Sequence, residues 1–224
     1  MAEPQGSELT VRGIVVGVFA ENCWIIGSRR TGEAIAIDPG DQAEDILHLA
    51  QDMELKIKVI ANTHAHIDHI LGVRGVQEAT GAKFLLHPHE LEIARGSVQA
   101  AAQLLGQPVE PPPEPDALLA EGDEVEVAGV KLKVIHTPGH TPGGVSFYTN
   151  GVVFSGDTLF RGSIGRTDMP GGDYGQEMSS IVDRLLELPD DTIVLPGHMQ
   201  DTKIGIERQA NPFVLEELAR RQSQ

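Results

Sequence analysis

The sequence predicts an α/β fold in which two β-sheets carry helices on their outer faces. Three observations predict it. Apolar, β-branched runs alternate with stretches of helical periodicity along the whole chain. The two halves repeat one plan, in which a short apolar strand ends in aspartate (34–38 and 152–157) and a helix follows. The 224 residues, 40% of them hydrophobic, are enough for one well-buried core and one domain spanning 1–224. Periodicity alone leaves other mixed α/β layouts open.

Taken in order, residues 11–19 and 23–26 read as strands, Thr31-Gly32 as a turn, and 34–37 as a strand closing on Asp38-Pro39-Gly40. A helix is expected over 41–55, capped by Asp41, with Ile46, Leu47, Ala50 and Met53 on one face. The apolar strand 57–61 runs directly into Asn62-Thr63-His64-Ala65-His66-Ile67-Asp68-His69, and a short helix follows, ending near Gly81. A strand at 83–86 precedes a helix over 89–105 that Gly96 weakens. Residues 107–116 hold five prolines and read as a stiff surface connection. Residues 124–127 and 130–135 form one hairpin, closed by Ala128-Gly129. Residues 145–148 and 152–154 form a second, turned at Asn150-Gly151. An amphipathic helix over 174–188, a strand at 192–195 and a last helix opened by Asn211-Pro212 complete the chain.

Acidic residues outnumber basic ones 33 to 17, a formal charge of −16. Such a surface repels phosphate backbones and anionic membranes, so neither nucleic acid nor membrane is an expected partner. No apolar run approaches the roughly 18 residues of a membrane span. The opening MAEPQGSELT lacks the pattern of a secretory leader. The single cysteine, Cys23, rules out an internal disulfide and points to the cytoplasm. Nine histidines beside one cysteine imply that any metal is held by nitrogen and oxygen.

The strongest signal is His64-x-His66-x-Asp68-His69. With nine His and fourteen Asp in the chain, chance supplies it roughly once in a thousand such sequences. His and Asp suit zinc-like ions, and a turn after a buried strand projects alternate side chains toward a common point. Three further candidates follow strands in Gly- or Pro-rich turns: His140 in HTPGH (136–140), Asp157 in SGD (155–157) and His198 in PGH (196–198).

With these motifs in view, the sequence resembles the metallo-β-lactamase superfamily over nearly its whole length. Within it, the chain is most similar to small bacterial relatives of glyoxalase II, which hydrolyses S-acylglutathione thioesters. The stretches carrying this closer resemblance are HTPGHTPGG (136–144), SGDTLFRGSIGRTDMPGGD (155–173), LPGH (195–198) and IERQANPF (206–213). The resemblance implies a four-layer αβ/βα sandwich with a metal site at one edge. It implies two divalent ions, zinc first, with iron or manganese possible. His64, His66 and His140 would hold one, Asp68, His69 and His198 the other, and Asp157 would bridge both beside a water. Asp157 and Asp68 are the expected catalytic carboxylates. The reaction expected is attack of a metal-activated hydroxide on the thioester carbon, with a thiolate leaving group that needs little protonation. An anionic small-molecule thioester is the expected partner, gripped by Arg161, Arg166 and Tyr174 near the loop that follows Asp157. The alternative for Arg166 is a structural pair with Asp168.

Two features depart from full-length glyoxalase II. Only 21 residues follow Lys203, too few for that enzyme's C-terminal helical region, and GSIGRTDMPGGD replaces its aromatic-containing loop. Two other activities fit the same superfamily. GRTD (165–168) also occurs in its persulfide dioxygenase branch, whose single iron would use His64, His140 and Asp157, although Pro-Gly-His198 departs from that branch's usual Pro-Ala-His-Asp. A nuclease would need a basic arm that the chain lacks. A non-catalytic metal-binding or sensor module is the third alternative, marked in other cases by a lost ligand. Among the remaining residues, His48 reads as solvated, His87-Pro88-His89-Glu90 as an imitation ligand pair opening a helix, His136 as a packed strand-end residue, and 121–126 as a solvated acidic hairpin.

Overall fold

The computed structural model describes residues 8–106 and 108–223. The N-terminal seven residues, part of the opening read for a leader, lie outside them, as does Gln107 of the proline-rich connection. The first half contains β1 (Leu9–Val16), β2 (Glu21–Ser28), β3 (Glu33–Ile37), α1 (Ala43–Asp52), β4 (Lys56–Ala61), α2 (Ile67–Ile70), α3 (Val73–Thr80), β5 (Lys83–Leu86), α4 (Leu91–Leu105) and β6 (Ala117–Leu118). The second contains β7 (Glu124–Val127), β8 (Val130–His136), β9 (Val145–Thr149), β10 (Val152–Gly156), β11 (Leu159–Phe160), β12 (Ser163–Ile164), α5 (Tyr174–Asp183), β13 (Ile193–Pro196), β14 (Thr202–Lys203), α6 (Ile204–Ala210) and α7 (Pro212–Gln222).

Strands β1 to β6 make one sheet in sequence order, antiparallel through β3 and parallel from β3 to β6. The other sheet runs β14-β13-β10-β9-β8-β7, antiparallel except where β10 and β13 run parallel. Alternation along the strands sorts side chains onto two faces. Ala34 and Ala36 point outward with Ile57 and Ile60, into a core shared with Ile46, Leu49 and Ala50 of α1 and Val73 and Val76 of α3. Ile35 and Ile37 point inward with Val59 and meet Val125, Leu132, Phe147 and Phe154 of the facing sheet. Val153 and Val194 point to the far side, against Met178 and Ile181 of α5, Ile204 of α6 and Val214 of α7. Three cores between four layers are the αβ/βα sandwich expected. Each fully buried Ile, Val or Phe in them contributes about 1.5–3 kcal/mol.

Several boundaries differ from the sequence reading. β1 stops at Val16, because the chain turns through Gly17 (φ 67°) and Ala20 (φ 54°), leaving Val18 and Phe19 exposed. Asp41 does not cap α1. Gln42 takes the N-cap position at φ 47°, and Asp41 Oδ1 accepts the Gln42 N–H instead. The helix after the histidine motif is two short helices, α2 and α3, and α4 starts at Leu91 after a single 3₁₀ turn. The helix expected over 174–188 ends at Asp183, and a 3₁₀ turn, Leu185–Glu187, follows. The hairpins at Ala128-Gly129 and Asn150-Gly151 form where expected.

The topology fixes where chemistry can occur. β3 runs parallel to β4, and β8 runs the same way as β10 and β13. Their C-terminal ends deliver Asp38, the 62–69 segment, the His140 turn, Asp157 and His198.

Candidate metal centre

All seven histidine and aspartate candidates converge at these strand ends. Donor atoms of His64, His66 and His140 lie within 4.8 Å of one another, as do those of Asp68, His69 and His198. Asp157 stands between the two groups. Its Oδ1 is 3.4 Å from His69 Nε2, and its Oδ2 is 3.6 Å from both His140 Nε2 and His198 Nε2. A register shift in β10 between Phe154 and Gly156, with Gly156 at φ 49°, turns the chain just before it. Glycine is required at 197 too, since a Cβ there would come within 2.5 Å of Asp157 Oδ1.

The rings are oriented from behind. Thr63 Oγ1 donates to Asp38 Oδ2 (2.5 Å), so it can only accept from His64 Nδ1, 3.0 Å away. His69 Nδ1 donates to Asp38 Oδ2 (3.1 Å), and His140 Nδ1 donates to the Arg166 carbonyl (2.7 Å). With the proton fixed on Nδ1, each ring presents a bare Nε2 lone pair to the cluster. Nε2 of His64 and of His69 and Oδ1 of Asp157 are buried with no hydrogen-bond partner. Buried polar atoms left unpartnered are unfavourable, and cations held at the two groups would satisfy all three. His66 Nδ1 lies 2.8 Å from His140 Nε2, a further lone-pair contact. Donor atoms of Asp38, His64 and His69 also lie within 4.8 Å of one another, but Asp38 already accepts from Thr63 N (2.6 Å), Thr63 Oγ1 and His69, which gives it an orienting place behind the rings.

The electrostatics divide the cluster: burial holds His64, His66 and His140 below the ordinary imidazole range, whereas, against burial, Asp157 and Asp38 raise His69, and Asp68 and Asp157 raise His198. Burial, reinforced by the neighbouring imidazoles, pushes His64 well below its ordinary range, and burial with His140 pushes His66 down to about 4. Burial works against an Asp157 carboxylate, yet His69, His140 and His198 outweigh it and hold Asp157 far below the usual range.

Three supporting carboxylates escaped the sequence reading. Glu90 accepts from Ala65 N and Gly143 N, both at 2.8 Å, and so ties the His64–His66 segment to the His140 turn. Glu177 accepts from His140 N at 2.8 Å, and burial pushes its carboxyl up to about 9. Glu21 is fully buried with its Oε1 3.9 Å from His69 Nδ1. Only Asp38, closing a strand before Pro39-Gly40, carried a sequence signal. Glu90 lay in the segment read as an imitation ligand pair, where His87 stacks on His136 at 4.6 Å.

The family model described as the metallo-beta-lactamase superfamily matches residues 16–198. The chain belongs to the metallo-beta-lactamase superfamily. Among curated relatives, the hydroxyacylglutathione hydrolase GloC of Haemophilus influenzae is 36% identical over 92% of this chain and 98% of its own. Among solved structures, the BLEG-1 B3 metallo-beta-lactamase superposes with a TM-score of 0.85 at 36% identity, covering 92% of this chain and 99% of that one. TTHA1623, solved in a di-iron-bound form, gives 0.80 at 40% identity, covering 90% and 99%.

In this superfamily member a cavity of about 760 Å³ opens on the cluster, bordered by His66, Asp68, His140, Asp157 and His198. Of the residues expected to grip substrate, Arg166 alone lines it. Its guanidinium is already bidentate to Asp168, at 2.8 and 2.9 Å. Arg161 bonds Gln200 (3.3 Å) outside the lining, and Tyr174, 46% exposed, opens α5 near Glu216 and Glu217 of α7. The loop after Asp157 does reach the cavity, through Ser163, Ile164, Met169 and Pro170, and Arg161 and Tyr174 are not among its lining residues.

Proposed function

We propose that this protein is a metal-dependent hydrolase that cleaves an S-acylglutathione or a related small thioester. The observation that carries the reading is the convergence of seven histidine and aspartate donors at the strand ends, with Nε2 of His64 and of His69 and Oδ1 of Asp157 buried and unpartnered. His64, His66 and His140 would hold one divalent ion, Asp68, His69 and His198 a second, and Asp157 would serve both. Zinc is the first choice, with iron or manganese compatible with the same donors. Bound divalent ions polarise a carbonyl oxygen and lower the pKa of water from about 15.7 toward 7.

The chain's own residues do the rest. Asp157, ionised and anchored among three imidazoles, orients the attacking water by accepting its proton in a hydrogen bond. Asp68 holds His198 through a 3.1 Å contact at the mouth of the cavity. Asp38, Glu90 and Glu177 fix the loops that aim the rings. The cavity lining offers no carboxylic acid or imidazole outside the cluster except Glu92, which suits a thiolate leaving group. The likeness to GloC supports the thioester class, and the charge of −16 with a single cysteine suits a cytoplasmic enzyme of small molecules. No helix among the described residues is long and apolar enough to cross a membrane.

Steady-state assay of S-lactoylglutathione with metal-loaded protein tests the reading. Release of glutathione and the carboxylate is expected. No release at any metal loading removes the thioesterase assignment, and oxygen uptake on glutathione persulfide with one iron per chain replaces it with a dioxygenase.

A further inference from the structure

One wall of the cavity is a face of α4. Ile93, Gly96, Ser97 and Ala100 recur at i, i+3, i+4 and i+7, and all four border it. Gly96 is out of place there by every local criterion. It sits in a helix interior, where only proline is less favourable than glycine. Its φ is not positive, so the backbone does not ask for glycine. A Cβ built on it meets no heavy atom within 4 Å. Gly75 of α3 makes the contrast, since a Cβ there would come within 2.7 Å of Ala43 Cβ. Close packing accounts for Gly75 and for nothing at Gly96. What Gly96 supplies is empty volume in the cavity wall.

The rest of the lining says what that volume suits. Phe160 and Ile164 of the β11–β12 hairpin, Ile67 and Met169 face it, and Phe19 and Met199, 47% and 58% exposed, form its rim. Arg166 is the one cation among the lining residues, and its Nε–Nη2 edge is engaged by Asp168. An anionic arm therefore finds in this wall only a cation whose charge Asp168 already offsets, whereas a hydrocarbon arm finds an apolar trough continuous with the cluster. A cavity of this size holds a ligand of ordinary small-molecule dimensions.

Resting on the thioesterase reading above, we infer that the cavity takes an aliphatic acyl chain of the thioester, with Gly96 setting how much of the chain enters. The acyl half is assigned here rather than the thiol half because a glutathione thiol carries two carboxylates and an ammonium, whereas an acyl tail carries no charge. Apolar walls disfavour a buried charge, so the thiol half faces solvent, and hydrolysis leaves a carboxylate at the cluster with its tail still in the trough.

The test measures kcat/KM for acetyl, butyryl and octanoyl thioesters of N-acetylcysteamine on metal-loaded protein, beside a second series in which the thiol is lengthened at fixed acetyl. The acyl series is expected to rise by up to about fourfold per fully buried methylene, and the thiol series to stay flat. Gly96→Leu is expected to flatten the acyl series by filling the trough. Its melting temperature should not fall, and Gly96→Ala should raise it by about 2–4 °C, because both substitutions increase helix propensity. Turnover that is independent of acyl length, or a rise confined to the thiol series, overturns the inference and leaves the thioesterase reading standing. A rise that Gly96→Leu leaves intact overturns the role of Gly96. No turnover on any thioester, S-lactoylglutathione included, removes the parent reading and this one with it.

Discussion

The two sheets contribute to the centre in different ways. The first supplies His64, His66, Asp68 and His69 from one six-residue stretch after β4, so local chain geometry does most of the placing. The second supplies His140, Asp157 and His198 from the ends of three strands, so their convergence depends on the pairing of β8, β9, β10 and β13. The supports differ accordingly. Behind the contiguous half, Asp38 at the end of the neighbouring strand β3 holds His69 Nδ1, and Asn62 Nδ2 donates to the His69 carbonyl at 2.6 Å. Behind the dispersed half, buried glutamates from remote helices hold backbone N–H groups of the turn that carries His140. A local ligand set needs its rings oriented, and a dispersed one needs its loops anchored as well.

That contrast can be broken by mutation. The largest effect is expected at the residue both groups share: Asp157→Ala should abolish turnover and metal retention together, as read by metal analysis and the lactoylglutathione assay. Asp38→Ala should lower metal affinity by about 10–100-fold, the usual range for removing a carboxylate that orients a ligating histidine. A chelator competition measures it, and unchanged affinity would show that His69 needs no support from behind. Glu90→Ala leaves two buried N–H groups unpaired and should lower unfolding free energy by about 2–4 kcal/mol. Glu90→Gln, which keeps an acceptor, should lose less. If denaturant melts give equal losses, the tie between the two halves is not made by hydrogen bonding.

The smallest effect lies far from the centre, where Arg220 and Arg221 hold Glu217 down to about 2. A carboxylate depressed on folding contributes stability that is complete above its unfolded pKa, about 4.5, and is lost as pH falls toward 2. The arginines are 57% and 32% exposed, so the contribution is under about 1 kcal/mol. Glu217→Gln should flatten the melting temperature's fall between pH 4.5 and 2, and an unaltered acid limb would remove the pair from the account.

The sequence carried the layer plan because β3, β4 and β5 are apolar runs bounded by turn residues, and the 64–69 motif because it is contiguous. His140, Asp157 and His198 could be placed after strands and matched to a family, but their approach is a property of sheet pairing. The two-residue strands β6, β11, β12 and β14 are too short to show alternation, and α6 merged with the approach to α7. Glu90 and Glu177 were unreadable for a different reason. Each looks like an ordinary charge on a helix until the fold sets it against a loop from another part of the chain. Arg161 and Tyr174 stand beside a site loop in sequence, yet neither is among the residues that line the cavity.

The central claim is that seven residues from two sheets form one two-ion centre. Anomalous scattering from crystals of the metal-loaded protein tests it most directly. Two peaks are expected, one about 2.0–2.2 Å from donors of His64, His66 and His140 and the other equally close to donors of Asp68, His69 and His198, with Asp157 reaching both. Peaks absent from these strand ends, or ions held without Asp157 and His198, would contradict it.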